Sequence, residues 1–164
     1  LTALGLHALQ HRGQEACGIA TYDSAANRFL TERHLGLVGD SFSEDNTAIQ
    51  RLSGRIAIGH NRYSTSGRVI QRNIQPIFGD FATGGFALAH NGNITNARAL
   101  HRELVGQGAI FQSTMDTEVV LHLVARSRRN RIEDRFIDAL LQLHGGYAFV
   151  ALTDNRLLGA RDPW

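Results

Sequence analysis

Cys17-Gly18-Ile19-Ala20-Thr21-Tyr22-Asp23-Ser24-Ala25-Ala26-Asn27-Arg28-Phe29-Leu30-Thr31-Glu32-Arg33-His34 is the stretch that decides the fold class. Cys17 to Tyr22 and Arg28 to His34 have strand composition, and Ser24 to Asn27 is a turn between them. The far end of the chain repeats the pattern. Tyr147 to Leu152 and Leu157 to Ala160 read as a hairpin of buried strands about Asp154-Asn155. Strands that come as adjacent pairs favour antiparallel sheets over a strictly alternating parallel fold.

Outward from the hairpins, Leu1, Leu4, Leu6, Ala8 and Leu9 give a short helix ended by Gly13. Gly36 to Ser53 is mixed and polar, a loop with at most a short element. Ile56 to Gly59 and Phe86 to Ala89 are short buried strands, each followed by a polar, glycine-containing segment. Helical spacing returns at Ala97, Leu100 and Leu104 after a Thr95 cap. It returns again at Met115, Val119, Val120, Leu123 and Val124, after Ser113 and Asp116 at capping-box spacing. A third set, Ile132, Phe136 and Leu140, is closed by Gly145-Gly146. The fold class is therefore α+β. Strands this apolar leave no wet face, so the sheets pack between helical layers.

The 164 residues, 43% hydrophobic and 20% charged, suit one soluble domain. A formal net charge of +2 is too small to argue for nucleic acid. No apolar run reaches membrane-span length, and the first residues lack the pattern of a signal peptide. Cys17 is the single cysteine, which excludes an internal disulfide and fits the cytoplasm. A start at Leu1 and an end at Arg161-Asp162-Pro163-Trp164 raise the expectation of a chain truncated at both ends.

Chemistry concentrates where strands end. His60-Asn61-Arg62-Tyr63-Ser64-Thr65-Ser66-Gly67 does nothing to fill a core, and an arginine at a strand end can hold a carboxylate by two parallel hydrogen bonds. The same residues suit a solvated loop. His90-Asn91-Gly92-Asn93 contains the strongest short hairpin signal, Asn-Gly. It also offers a side-chain amide beside a backbone N–H, a donor pair for an oxyanion. Asp116 in a first helical turn complements the orphan N–H groups there, or receives a substrate ammonium group. His7 and His11 are four apart, with no third ligand to complete a metal site. Cys17 lies in an apolar strand, where a cysteine is a small core residue rather than a reactive thiol.

The order and wording of these segments carry a resemblance. Gln10-His11-Arg12-Gly13-Gln14-Glu15-Ala16 with Gly18-Ile19 resembles the first internal signature of amidophosphoribosyltransferases. So do Gly59-His60, Arg62-Tyr63-Ser64-Thr65, Ala89-His90-Asn91-Gly92-Asn93, Asp116-Thr117-Glu118 and Ala160-Arg161-Asp162-Pro163. The resemblance implies that residues 1–164 are a type-2 glutamine amidotransferase domain with the N-terminal-nucleophile hydrolase fold, a four-layer αββα sandwich of two antiparallel sheets. It implies glutamine hydrolysis to glutamate and ammonia by an N-terminal cysteine, through a thioester. Ammonia would convert phosphoribosyl pyrophosphate to 5-phosphoribosylamine, the first committed step of purine biosynthesis.

Carried over residue by residue, Arg62 would bind the glutamine α-carboxylate and Asp116 its α-ammonium. Asn91 and Gly92 would form the oxyanion hole, Arg12 would position the nucleophile, and Tyr63, Ser64 and Thr65 would line the pocket. Met115, Cys17, Asn61 and Trp164 depart from the family pattern. The nucleophilic cysteine is expected upstream of Leu1 and a phosphoribosyltransferase domain downstream of Trp164, so the fragment alone is predicted inactive. No cofactor is expected in this domain, Mg2+ is expected in the phosphoribosyltransferase domain, and ligands of any iron–sulfur cluster would lie outside the chain. Glutamine and the phosphoribosyltransferase domain are the expected partners, with neither nucleic acid nor membrane, in a homo-oligomer. The alternatives are the glutaminase domain of glucosamine-6-phosphate synthase and a non-catalytic glutamine-binding module.

Overall fold

The computed structural model describes residues 1–43, 47–63 and 70–163. Two antiparallel sheets face each other. The first has the order β2-β1-β3, built from β1 (Ala16–Asp23), β2 (Arg28–Leu35) and β3 (Ile56–Arg62). The second has the order β4-β5-β6-β7, from β4 (Ile77–Phe81), β5 (Gly84–Ile94), β6 (Gly145–Leu152) and β7 (Leu157–Arg161). Ala20 and Ile58 of one sheet meet Ala87, Ala89 and Leu152 of the other, so small residues let the two layers approach closely.

Helices cover the outer faces. α1 (Thr2–Ala8), α2 (Val38–Ser41) and α3 (Thr47–Arg51) bury Leu6, Val38 and Ala48 against Cys17 and Ile19. α4 (Ala97–Gly106), α5 (Asp116–Arg126) and α6 (Ile132–Leu140) close the larger core around Phe86, Leu88, Phe136 and Phe149. Phe86 and Leu88 are fully buried, each worth about 1.5–3 kcal/mol by removal from water. The four-layer αββα arrangement expected from the sequence is the one observed. Among the described residues, no helix is long and apolar enough to cross a membrane.

Both hairpins form, with Ala16 opposite Leu35 and Leu152 opposite Leu157, but β7 is not the buried strand expected, its residues alternating between exposed and half-buried because it closes the edge of the sheet. Several local readings are corrected. Gly36 to Ser53 holds two short helices rather than one loop element. β3 runs on through His60, Asn61 and Arg62, and β5 through His90 to Ile94, because their neighbours β1 and β6 keep pairing with the backbone whatever the side chains are. Asn91-Gly92 is therefore not a hairpin turn. β4, interrupted by Gly79 and Asp80, has no strand-like sequence and is organised by its pairing with β5. Asn96, not Thr95, precedes α4. Gly145-Gly146 open β6 opposite Asn93 and Ile94 rather than close α6.

Candidate functional site

Where β3 and β5 emerge between the sheets, a cavity of about 1820 Å³ opens. Arg12, Arg62, Tyr63, Asn91, Gly92 and Asp116 all line it, so six of the eight site residues named from the sequence share one space. Ser64 and Thr65 lie outside the described residues. Tyr63 stands on the rim, 70% exposed.

Arg12 ends a 3-10 turn, Gln10–Arg12, that follows α1. Gln10 locks the turn, donating to the Gly13 carbonyl and accepting the Val38 N–H at 2.7 Å. Gly13 then passes so close to β3 that an added Cβ would lie 2.7 Å from the Arg62 carbonyl carbon. Only glycine permits that approach, and it sets Arg12 beside the end of β3.

Arg62 is the last residue of β3, opposite Ala16. Its Nη1 donates to the Asn73 carbonyl at 3.0 Å and reaches the Met115 sulfur at 3.9 Å. Its Nε is buried and has no partner among the described residues. Two residues earlier, His60 packs at the cavity wall. Burial pushes its pKa down to about 4; a hydrogen bond to the His90 backbone opposes this, and the Arg62 charge adds to it. His60 is therefore neutral at pH 7.

On β5, Asn91 and Gly92 sit opposite Ala148 and Tyr147 of β6 and are exposed to the cavity. Gly92 has φ +138, and a Cβ there would fall 2.3 Å from the Gly146 carbonyl oxygen. Position 92 admits no side chain. Just before it, the buried Gln75 amide brackets His90: Oε1 accepts the His90 N–H at 2.7 Å, and Nε2 donates to its carbonyl at 3.1 Å. The His90 ring stacks on Phe149 with centroids 4.5 Å apart and lies 3.3 Å from the Thr117 hydroxyl.

Asp116 opens α5 but does not form the capping box with Ser113. Its Oδ2 accepts the Ile94 N–H at 3.1 Å, and Oδ1 lies 3.6 Å from His90 Nδ1. Burial raises its pKa, but hydrogen bonds from His90 and the Ile94 N–H outweigh that, so the carboxyl stays below its ordinary value. The N-cap Met115 gives α5 no side-chain cap, and the Glu118 carboxylate instead ties down the preceding loop, accepting the Gln112 and Ser113 N–H groups at 2.8 and 2.6 Å. The Ser113 hydroxyl donates to that same carboxylate at 2.6 Å.

The site thus holds a cation, an anion and, on β5, neutral donors lining one cavity. Cys17 is not part of it. It is fully buried under α1 and α2, burial pushes its thiol pKa up, and it does not line the cavity. Asn73 and Gln75 line the cavity and received no role from the sequence. Asn73 and Gln75 act through contacts with residues 41 and 15 positions away, which leave no local signal.

A family model described as a glutamine amidotransferase domain matches residues 60–164. The amidophosphoribosyltransferase of Rhizobium etli is 58% identical over 163 residues, covering 99% of this chain and 32% of its own length. That of Lacticaseibacillus casei is 48% identical over 165 residues, covering 99% of this chain and 82% of its own length. The chain therefore spans about a third of the first relative and most of the second. Among solved structures, the glutamine phosphoribosylpyrophosphate amidotransferase from B. subtilis, complexed with ADP and GMP, superposes with a TM-score of 0.88. It is 39% identical and covers 99% of this chain and 34% of that one.

Proposed function

Because the chain belongs to the amidophosphoribosyltransferase family and forms its glutamine amidotransferase domain, we propose that the cavity at the ends of β3 and β5 binds L-glutamine for deamidation. The observation that carries this is the meeting of Arg62 and Asp116, one cation and one anion, beside Asn91 and Gly92 in one cavity. A free amino acid has a carboxylate and an ammonium group on one carbon. A guanidinium and a carboxylate held at fixed points read that zwitterion and reject ligands with a single charge.

In this reading Arg62 takes the α-carboxylate, Asp116 the α-ammonium, and Tyr63 walls the pocket. A thiolate adds to the side-chain amide carbon, forming a C–S bond as the carbonyl electron pair moves onto oxygen. The Asn91 side-chain amide and the Gly92 N–H receive that oxyanion. Collapse of the tetrahedral species breaks the C–N bond, and the nitrogen leaves with a proton as ammonia. Water then cleaves the glutamyl thioester to glutamate. Cys17 is sealed in the core, so the attacking thiol is a cysteine brought by residues outside these 164, which Arg12 helps to position. In the whole protein the ammonia reacts with phosphoribosyl pyrophosphate, bound with Mg2+ in a phosphoribosyltransferase domain, to give phosphoribosylamine.

Steady-state glutaminase kinetics on the full-length protein test this assignment. A hydrogen bond to a charged group contributes about 1.5–3 kcal/mol, so Arg62→Ala and Asp116→Ala should each raise the glutamine KM about 10- to 100-fold. An unchanged KM in both variants removes the assignment. Absence of any glutamate release by the parent protein would favour the non-catalytic binding module instead.

A further inference from the structure

We propose that Asn73 is the positioning residue that sets the spacing between the two charges of the glutamine clamp, and so makes the site selective for the complete zwitterion. The inference rests on the glutamine reading above. Arg62 and Asp116 come from different elements, the end of β3 and the start of α5, with no strand or helix joining them directly. Asn73 joins them. It is 7% exposed and ends a 3-10 turn, Gln71–Asn73, between β3 and β4.

Its N–H closes its own turn on the Ile70 carbonyl, and its other polar groups each engage one side or the other. Its backbone carbonyl accepts Arg62 Nη1 at 3.0 Å. Its side-chain Oδ1 accepts the Thr114 backbone N–H at 3.1 Å, and its Nδ2 donates to the Thr114 hydroxyl at 2.8 Å. A backbone N–H can only donate, which settles the amide orientation. Thr114 lies two residues before Asp116, in a loop that Glu118 ties to the start of α5 through Gln112 and Ser113. One residue thus grips the carboxylate-binding arginine by its backbone and the aspartate's loop by its side chain. Met115 between Thr114 and Asp116 touches the same guanidinium, so the two sides meet again through its sulfur.

A residue that only held the fold would weaken every ligand alike when removed. A spacer has a different signature: it penalises a ligand that must satisfy both charges at once and spares one that uses a single charge. The full-length protein separates the two through the KM of L-glutamine and the inhibition constants of glutaramate, which lacks the α-amine, and 4-aminobutanamide, which lacks the α-carboxylate. Asn73→Ala should raise the glutamine KM about tenfold, the loss of about one charge-assisted hydrogen bond. Both one-ended compounds should change less than about twofold. Thr114→Val, at an exposed position, removes only the hydroxyl bond and should give a smaller shift of the same kind. Thr114→Ser should restore the parent value. If Asn73→Ala does not fold, Thr114→Val and Thr114→Ser decide.

Parallel weakening of all three ligands, or an unchanged glutamine KM in both Asn73→Ala and Thr114→Val, overturns the proposal. Should those variants behave like the parent while Arg62→Ala and Asp116→Ala still raise the KM, only the role of Asn73 fails. Should the parent neither bind nor hydrolyse glutamine, the glutamine reading itself fails.

Discussion

The ends of β3 and β5 look alike in sequence and are held in opposite ways. Each is a short apolar run that continues as His, Asn and a third residue, Arg62 in one and Gly92 in the other. On β5, Asn91 and Gly92 are paired along the backbone with Ala148 and Tyr147 of β6, and Gln75 clamps the residue before them. β3 is an edge strand, and Arg62 reaches into the cavity on a long side chain held by Asn73 and Met115. The difference matches what each end would do in the proposed glutamine reading. Stabilising an oxyanion demands donors fixed to a fraction of an ångström, which a paired backbone supplies. Holding a carboxylate demands a charge with a planar fork, which a propped arginine supplies.

The steric rigidity of β5 is the easiest part of the contrast to break. Gly92→Ala sets a Cβ against the Gly146 carbonyl and the Tyr147 Cα at 2.3 and 2.8 Å, at a backbone angle that L-residues avoid. Positive-φ strain alone costs about 1–3 kcal/mol, and the clash with β6 backbone cannot be relieved by a rotamer change. The expected loss is about 3 kcal/mol or more, with glutaminase activity abolished even where folded protein is recovered. Denaturant unfolding and turnover together check this. An active Gly92→Ala enzyme of parent stability would mean that the β5 end is no more rigid than the β3 end.

At β3 the weakness is electrostatic rather than steric. His60 has a folded pKa of about 4 against an ordinary value of 6.5, because burial disfavours its charged form. The unfolded chain therefore binds the extra proton first. Stability is complete above pH 6.5 and falls as the pH drops toward 4, by up to about 3 kcal/mol at about 1.36 kcal/mol per pH unit. His122, whose pKa is also lowered by burial, adds in the same direction below pH 6.5. Asp116, held below 3.8, acts only at lower pH, where its contribution is lost as the carboxyl protonates. Chemical unfolding at pH 7 and pH 5 should show this decline in the parent and a flatter one in His60→Gln. Equal slopes would exclude His60 as the source.

What could be read from the residues alone follows the same division. The 16–35 hairpin was legible because strand composition and a turn are local signals, and Cys17 was legible as core for the same reason. Arg62, Asn91 and Asp116 stood out only through the wording of their motifs, since locally each also suited a loop, a turn or a helix start. The length of β3 and β5 was hidden because polar residues paired by their neighbours' backbone look like loop. Asn73 and Gln75 were hidden more deeply. Their work is side chain to distant backbone, and nothing in Asn73-Ile74-Gln75-Pro76 announces which residues they will meet.

The smallest expected effect tests whether both props of Arg62 matter. Asn73 holds it by a carbonyl at 3.0 Å, while Met115 offers only a thioether at 3.9 Å, a weak acceptor on a flexible chain. Met115→Leu keeps the volume and removes the acceptor, so stability should change by less than about 1.5 kcal/mol. The glutamine KM should rise no more than about twofold, a few tenths of a kcal/mol. A tenfold rise would place the decisive contact at the sulfur, and the β3 end would then depend on the α5 loop for its charge as much as for its spacing. A change within twofold leaves the carbonyl of Asn73 as the principal hold, and the departure at Met115 becomes a tolerated variation of the pocket rim.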